Sequence, residues 1–109
     1  MLNITVQKSA ALKQKPVDES ALGFGKLFTD HMFLMDYTAG EGWHDARIVP
    51  YGPLPMDPAT TVFHYAQEIF EGMKAYRTAE GRVQLFRPDC NASRFNDSAD
   101  RLGMPFLVR

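Results

Sequence analysis

Apolar and polar positions change their rhythm several times along the chain. From Leu27 to Tyr37 the run LFTDHMFLMDY is dense in aromatic and long aliphatic groups and predicts a strand. Gly40-Glu41-Gly42 ends it in a turn, and Arg47 to Val49 predicts a short extended stretch. Residues 1 to 22 hold no sustained period. Their Lys, Ser and Gln content predicts a loosely held N-terminal arm with one short strand at Ile4 to Val6. Gly23-Phe24-Gly25 reads as a flexible lead-in. Pro50, Gly52, Pro53, Pro55 and Pro58 forbid regular structure through Asp57, because proline removes a donor and fixes φ.

The second half is more helical. Thr61, Val62 and Phe63 favour a strand, while Ala66, Gln67 and Glu68 favour a helix. The balance predicts a short helix from about His64 to Glu71, ended by Gly72 in the left-handed exit position. Met73 to Tyr76 and Arg82 to Phe86 predict a hairpin around the polar, glycine-containing loop Thr78-Ala79-Glu80-Gly81. Pro88 suits a first helical position. Ala92, Phe95, Ala99 and Leu102 then recur at offsets 0, 3, 7 and 10, one helical face, with Asn91, Arg94, Ser98 and Arg101 on the other side. Gly103 stops that helix and Pro105 follows. The fold class is α+β. Phe106-Leu107-Val108-Arg109 reads either as a chain cut inside a larger domain or as a C-terminal strand closing a sheet.

Composition narrows the function classes. At 109 residues and 45% hydrophobic, the chain fits one small domain of modest stability. Twelve basic residues against 13 acidic ones give a formal charge of −1, which argues against a nucleic-acid partner. No apolar run is long enough to span a membrane, and the N-terminus lacks the order of a secretory signal. Cys90 stands alone, so neither an internal disulfide nor a cysteine-only zinc site is expected, and a cytoplasmic location is the default.

Among residues with chemical potential, Arg94 is the most suggestive. It lies on a helix directly after a hairpin, where a guanidinium can clamp a phosphate through paired, charge-assisted hydrogen bonds. On spacing alone the plainer reading is favoured, a solvated arginine paired with Asp97 or Glu71. Tyr65 and Phe70, with Phe24 beyond a glycine-flexed loop, suit the lining of an apolar ligand pocket; core packing is the more ordinary reading for Tyr65 and Phe70. Met32, Met35, Met56, Met73 and Met104 read as core filler. His31, His44 and His64 are too far apart in sequence for ligands on one element, and no metal is expected. Glu71 beside Gly72 reads as a cap or brace of a turn. None of Lys8, Lys13, Lys15, Lys26 and Lys74 sits in a setting that would make it a Schiff-base nucleophile. Asn91-Ala92-Ser93 matches a glycosylation pattern that is incidental without secretion.

Three longer strings carry more information. Gly23 to Met35 (GFGKLFTDHMFLM), His64 to Arg77 (HYAQEIFEGMKAYR) and Leu85 to Pro105 (LFRPDCNASRFNDSADRLGMP) together resemble the N-terminal part of the branched-chain amino-acid aminotransferases. The resemblance runs in order from about Leu22 to Pro105. It implies a fold-type IV enzyme using pyridoxal 5′-phosphate, which moves amino groups between leucine, isoleucine or valine and 2-oxoglutarate, with glutamate as the other product. It also implies a homodimer, with the cofactor between a small N-terminal domain and a larger C-terminal one. By position, Arg94 matches the family arginine on the cofactor phosphate, which reverses the spacing-only reading. Tyr65, Phe70 and Phe24 match aromatic residues of the substrate side-chain pocket.

The same resemblance implies that this chain is a fragment. Residues 1–22 are expected to form an arm and residues 23–109 part of the small N-terminal α+β domain, with its sheet incomplete. Family members are several times longer, and neither the Schiff-base lysine nor the acidic partner of the pyridine nitrogen has a counterpart here. No catalytic residue is therefore assigned, and the 109 residues alone are expected to be inert, with weak or no cofactor binding. Unpaired strand edges are expected where strands are missing. The rival readings are another fold-type IV enzyme, such as a D-amino-acid aminotransferase or an aminodeoxychorismate lyase, and a non-catalytic binding or assembly module.

Overall fold

The structure is a computed structural model that describes residues 2–107. It divides into two compact units, Met1–Pro55 and Met56–Arg109. The first is built on a three-stranded sheet of order β1-β3-β2, with β1 at Thr5–Val6, β2 at His31–Thr38 and β3 at Gly42–Pro50. β2 and β3 are antiparallel, with His31 opposite Pro50, Phe33 opposite Ile48 and Tyr37 opposite Trp43. The turn between them is closed by the Glu41 N–H on the Thr38 carbonyl at 3.0 Å. The expected turn at Gly40 to Gly42 is there, but the stretch predicted at Arg47 to Val49 is a nine-residue strand. Its early part was hidden because Trp43-His44-Asp45 breaks strict alternation. The pairing shifts between Leu34 and Asp36, so that Asp45 and Ala46 face Met35 in a bulge, with Asp45 at φ 52. Arg47 braces it, donating from Nη1 to the Asp36 carboxylate and to the Asp45 carbonyl, each at 2.8 Å.

β1 runs parallel to β3, with Thr5 opposite Arg47 and Val6 opposite Ile48, so the short strand expected at Ile4 to Val6 forms. Further along the same segment, the Ser9 N–H donates to His31 Nε2 and the Lys13 N–H to the Asp30 carboxylate, both at 2.8 Å. Lys13 Nζ donates to the Thr29 carbonyl at 2.8 Å and lies 4.5 Å from the centre of the Tyr51 ring. These contacts hold residues 5–13 along the unit and oppose the reading of that part of the arm as loosely held. They also explain why β2 begins at His31 rather than Leu27. Lys13 takes the Phe28 and Thr29 carbonyls and the Asp30 carboxylate, while the Asp30 carbonyl accepts from the Tyr51 N–H at 2.9 Å, just past the end of β3.

In the second unit, α1 spans Thr61–Tyr65, β4 Ala75–Arg77, β5 Val83–Leu85 and α2 Pro88–Arg101. The helix predicted over His64 to Glu71 is displaced. Asp57 starts a tight turn, its carboxylate accepting from the Ala59 N–H at 2.7 Å and its carbonyl from the Thr60 hydroxyl at 2.6 Å, and the helix starts directly after it. Ala66 ends it in the left-handed region, at φ 48 and ψ 37, so Gly72 plays no capping part. The hairpin forms as expected, Ala75 opposite Leu85 and Arg77 opposite Val83.

Pro88 opens α2 as expected. Its end is a full C-terminal cap. Gly103, at φ +63, donates to the Asp100 carbonyl at 3.2 Å and Met104 to the Ala99 carbonyl at 2.9 Å. The Asn96 side chain then clasps Leu107, accepting from its N–H at 2.9 Å and donating to its carbonyl at 3.2 Å. Phe106 and Leu107 are irregular, and the rest of the strand considered over 106–109 lies outside the described residues.

Little apolar surface is covered. Ala46 and Ala99 are the buried hydrophobic residues among those described. The face read from Ala92, Phe95, Ala99 and Leu102 is buried only at Ala99; Ala92 and Leu102 are exposed and Phe95 half-buried. Met56 and Met73, expected as core filler, are also exposed. Periodicity identifies which face is apolar; burial needs a second surface against it. The accessible area is 9706 Å² for 12.3 kDa. Two separate compact bodies of half that mass would together expose about 7,400 Å².

Candidate functional site

The densest polar constellation joins the irregular run after α1 to the first turns of α2. Pro88 fixes where α2 begins, and from there Asn91 and Arg94, three positions apart, share one helix face. Glu71 is brought to that face because Ala66 stops α1 early and leaves the following backbone free of regular structure. The Glu71 carboxylate accepts from Arg94 Nε at 2.6 Å, from Arg94 Nη2, from Asn91 Nδ2 at 2.9 Å and from the Gly72 N–H at 3.1 Å. Asn91 Nδ2 also donates to the Gly72 carbonyl at 2.9 Å, tying the turn to the helix. The bracing role read for Glu71 in the sequence is therefore present, with Arg94 and Asn91 as additional partners.

Electrostatics match this geometry. The hydrogen bonds from Arg94 hold the Glu71 carboxyl far below its ordinary value, at about 2, against partial burial that acts upward; Asn91, the charge of Arg94 and the Gly72 N–H add to the lowering. The same hydrogen bonds raise Arg94. The Glu71 side chain is 14% exposed and that of Arg94 66%. The carboxylate occupies the Nε–Nη2 edge of the guanidinium, so this contact leaves Nη1 unused. Of the two pairings considered for Arg94 on spacing alone, Glu71 is the one formed. The sequence reading gave Asn91 no part in this cluster; its spacing of three from Arg94 was the available signal.

The three aromatic candidates are not packed. Phe24 is 100% exposed, Tyr65 82% and Phe70 90%, so within residues 2–107 neither Tyr65 nor Phe70 has the packing expected of a core residue. Tyr65 is the last residue of α1, beside the left-handed Ala66, and lines a shallow open recess with Thr61, Gln67, Arg101 and Leu102. Phe70 stands in the irregular run one residue before Glu71, and Phe24 lies in the first unit between two glycines of positive φ.

The histidines have local partners. His31 Nε2 accepts from Ser9, His44 lies 2.9 Å from the Thr38 hydroxyl and 3.1 Å from the Asp45 carboxylate, and His64 Nε2 donates to the Pro58 carbonyl at 2.7 Å. Cys90 is a free thiol of intermediate exposure. Among the described residues, no helix is long and apolar enough to cross a membrane.

Comparison with known proteins gives a consistent result. No family model matches the chain. It is 59% identical over 101 residues to branched-chain-amino-acid transaminase 1 of Bacillus subtilis, covering 93% of this chain and 28% of that protein. It is 54% identical over 102 residues to branched-chain-amino-acid aminotransferase 2 of the same organism, covering 94% and 28%. The branched-chain-amino-acid aminotransferase of Mycolicibacterium smegmatis is 51% identical over 109 residues, covering 97% and 30%. The chain thus spans under a third of the length of the curated relatives it matches. Over the stretch it shares with them, this chain is similar to branched-chain-amino-acid aminotransferases at 51–59% identity.

Proposed function

We propose that the protein carrying this chain is a branched-chain amino-acid transaminase dependent on pyridoxal 5′-phosphate. It exchanges the amino group of leucine, isoleucine or valine with 2-oxoglutarate, giving a branched 2-oxo acid and glutamate. The observation that carries this reading is the identity of 51–59% to relatives of that name over nearly the whole of this chain. In this reading residues 1–22 are an arm, and residues 23–109 belong to the small N-terminal domain of a fold-type IV enzyme. The lysine that anchors the cofactor comes from residues outside this chain. The enzyme is cytoplasmic and a homodimer.

Arg94 is the residue of this chain assigned to the cofactor. An arginine side chain that is 66% exposed, its guanidinium held at one edge by Glu71, has the donor chemistry a phosphate dianion needs. When bound, the cofactor supplies the electron sink for amino transfer. Arg94 anchors its phosphate end. Phe24, Tyr65 and Phe70 are assigned to the substrate side chain. Their rings offer apolar surface to a branched aliphatic group, and the Tyr65 hydroxyl adds a polar handle.

The test is substrate profiling of the full-length protein with 2-oxoglutarate as acceptor. Leucine, isoleucine and valine are expected to be far better donors than L-alanine or D-alanine. A preference for D-alanine, or no amino transfer with any of these donors, refutes the reading.

A further inference from the structure

We propose that Glu71 is a positioning residue that turns the free edge of the Arg94 guanidinium toward the cofactor phosphate. The inference rests on the reading of Arg94 as a phosphate ligand and deepens it. An arginine side chain on an exposed helix face has many rotamers, and a phosphate bound through a single such arginine must order it. Here that ordering is already done. Glu71 grips Nε and Nη2 together, which fixes the plane of the guanidinium as well as its position. The carboxylate is itself fixed by Asn91 Nδ2 at 2.9 Å and the Gly72 N–H at 3.1 Å, so the chain of contacts ends on backbone and helix. Asn91 and Arg94 leave α2 on one face, so the helix sets the spacing of both donors to the carboxylate.

A carboxylate beside a phosphate ligand also opposes the incoming dianion. The two effects predict opposite signs on removal. If orientation dominates, loss of Glu71 weakens phosphate recognition; if charge dominates, loss strengthens it. The two-point grip on Nε and Nη2 favours orientation, since its loss frees the guanidinium plane and the side-chain rotamers together.

The experiment compares equilibrium binding of pyridoxal 5′-phosphate and of pyridoxal, which lacks the phosphate, to the full-length apoprotein. Glu71→Gln is expected to weaken pyridoxal 5′-phosphate at least about tenfold while leaving pyridoxal nearly unchanged. Asn91→Ala, which keeps both charges, should show a smaller loss in the same direction and serves if Glu71→Gln fails to fold. Unchanged or tighter binding of pyridoxal 5′-phosphate, or an equal loss for both ligands, overturns the positioning role. Arg94→Ala separates the two levels. If it keeps the preference for the phosphorylated ligand, the phosphate reading of Arg94 fails and the role of Glu71 falls with it. If it abolishes that preference while Glu71→Gln leaves the preference at its wild-type level, only the positioning role fails.

Discussion

Replacing Gly103 by alanine tests the link between the end of α2 and the site it carries. Gly103 sits at φ +63, and a Cβ added there meets nothing within 4 Å. No steric clash complicates the change, so its cost is backbone conformation alone. Holding a residue with a Cβ in the left-handed region costs roughly 1–2 kcal/mol. Alanine also restricts the unfolded chain, which recovers about 0.4–1 kcal/mol. The net destabilisation is about 0.8 kcal/mol, equivalent to roughly fourfold in the opening equilibrium of the cap. Amide hydrogen exchange of Met104 reads this directly, because its N–H donates to the Ala99 carbonyl at 2.9 Å only while the cap is closed. Exchange at Met104 should accelerate roughly fourfold in Gly103→Ala and less in Gly103→Asn, since asparagine tolerates this region better. The Leu107 N–H, held by Asn96 at 2.9 Å, should follow the same order. Equal protection in glycine and alanine proteins, or asparagine worse than alanine, would refute the conformational argument.

Arg94→Ala is expected to cripple cofactor retention by the full-length protein, read as the pyridoxal 5′-phosphate dissociation constant; unchanged affinity removes Arg94 from the site. Tyr65→Phe should alter substrate kinetics while shifting stability by no more than about 0.5 kcal/mol, because the side chain is 82% exposed; an effect confined to the melting temperature returns it to packing. Glu71 has a depressed carboxyl, so any stability it contributes is complete above about 4.5 and is lost as the pH falls from there toward about 2. A carboxyl ¹³C titration of Glu71 should therefore show it still ionised at pH 4, and a midpoint near 4.5 would deny the contact with Arg94. The 109-residue chain should self-associate with rising concentration through the edge presented by β2 and its uncovered apolar groups. A monodisperse monomer in sedimentation equilibrium would count against that expectation.

What was legible in the sequence depended on how local its cause was. Pro88, Gly103 and the loop before Arg82 act through backbone rules within a few residues, and the helix and hairpin they define were read correctly. The helix predicted over His64 to Glu71 failed because its start is set by a side-chain turn at Asp57 and its end by a left-handed alanine, a conformation that alanine's own preference opposes. The early part of β3 was missed because a bulge moves Asp45 out of phase with its neighbours. The sequence offered Glu71 and Asp97 as partners for Arg94, but no period of helix or strand chooses between them, because the contact that forms spans 23 positions. Tyr65 and Phe70 stood out in the sequence as aromatics; their exposure did not, because sequence alone does not say whether an opposing surface is present.

The pairing of β2 with β3 also bears on how this segment folds. The two strands are joined by a tight turn, and the register starts from Thr38 opposite Gly42, so the first bonds close only a short loop. Hairpins of this kind form in roughly 1–10 μs. The parallel pairing of β1 with β3 must instead close the chain between Val6 and Ile48, a much longer loop that forms more slowly. The order of events is thus hairpin first and leading strand second. Because the bulge at Asp45 and Ala46 is part of the hairpin, the seat of the Arg47 brace exists before the leading strand arrives to pair beside it.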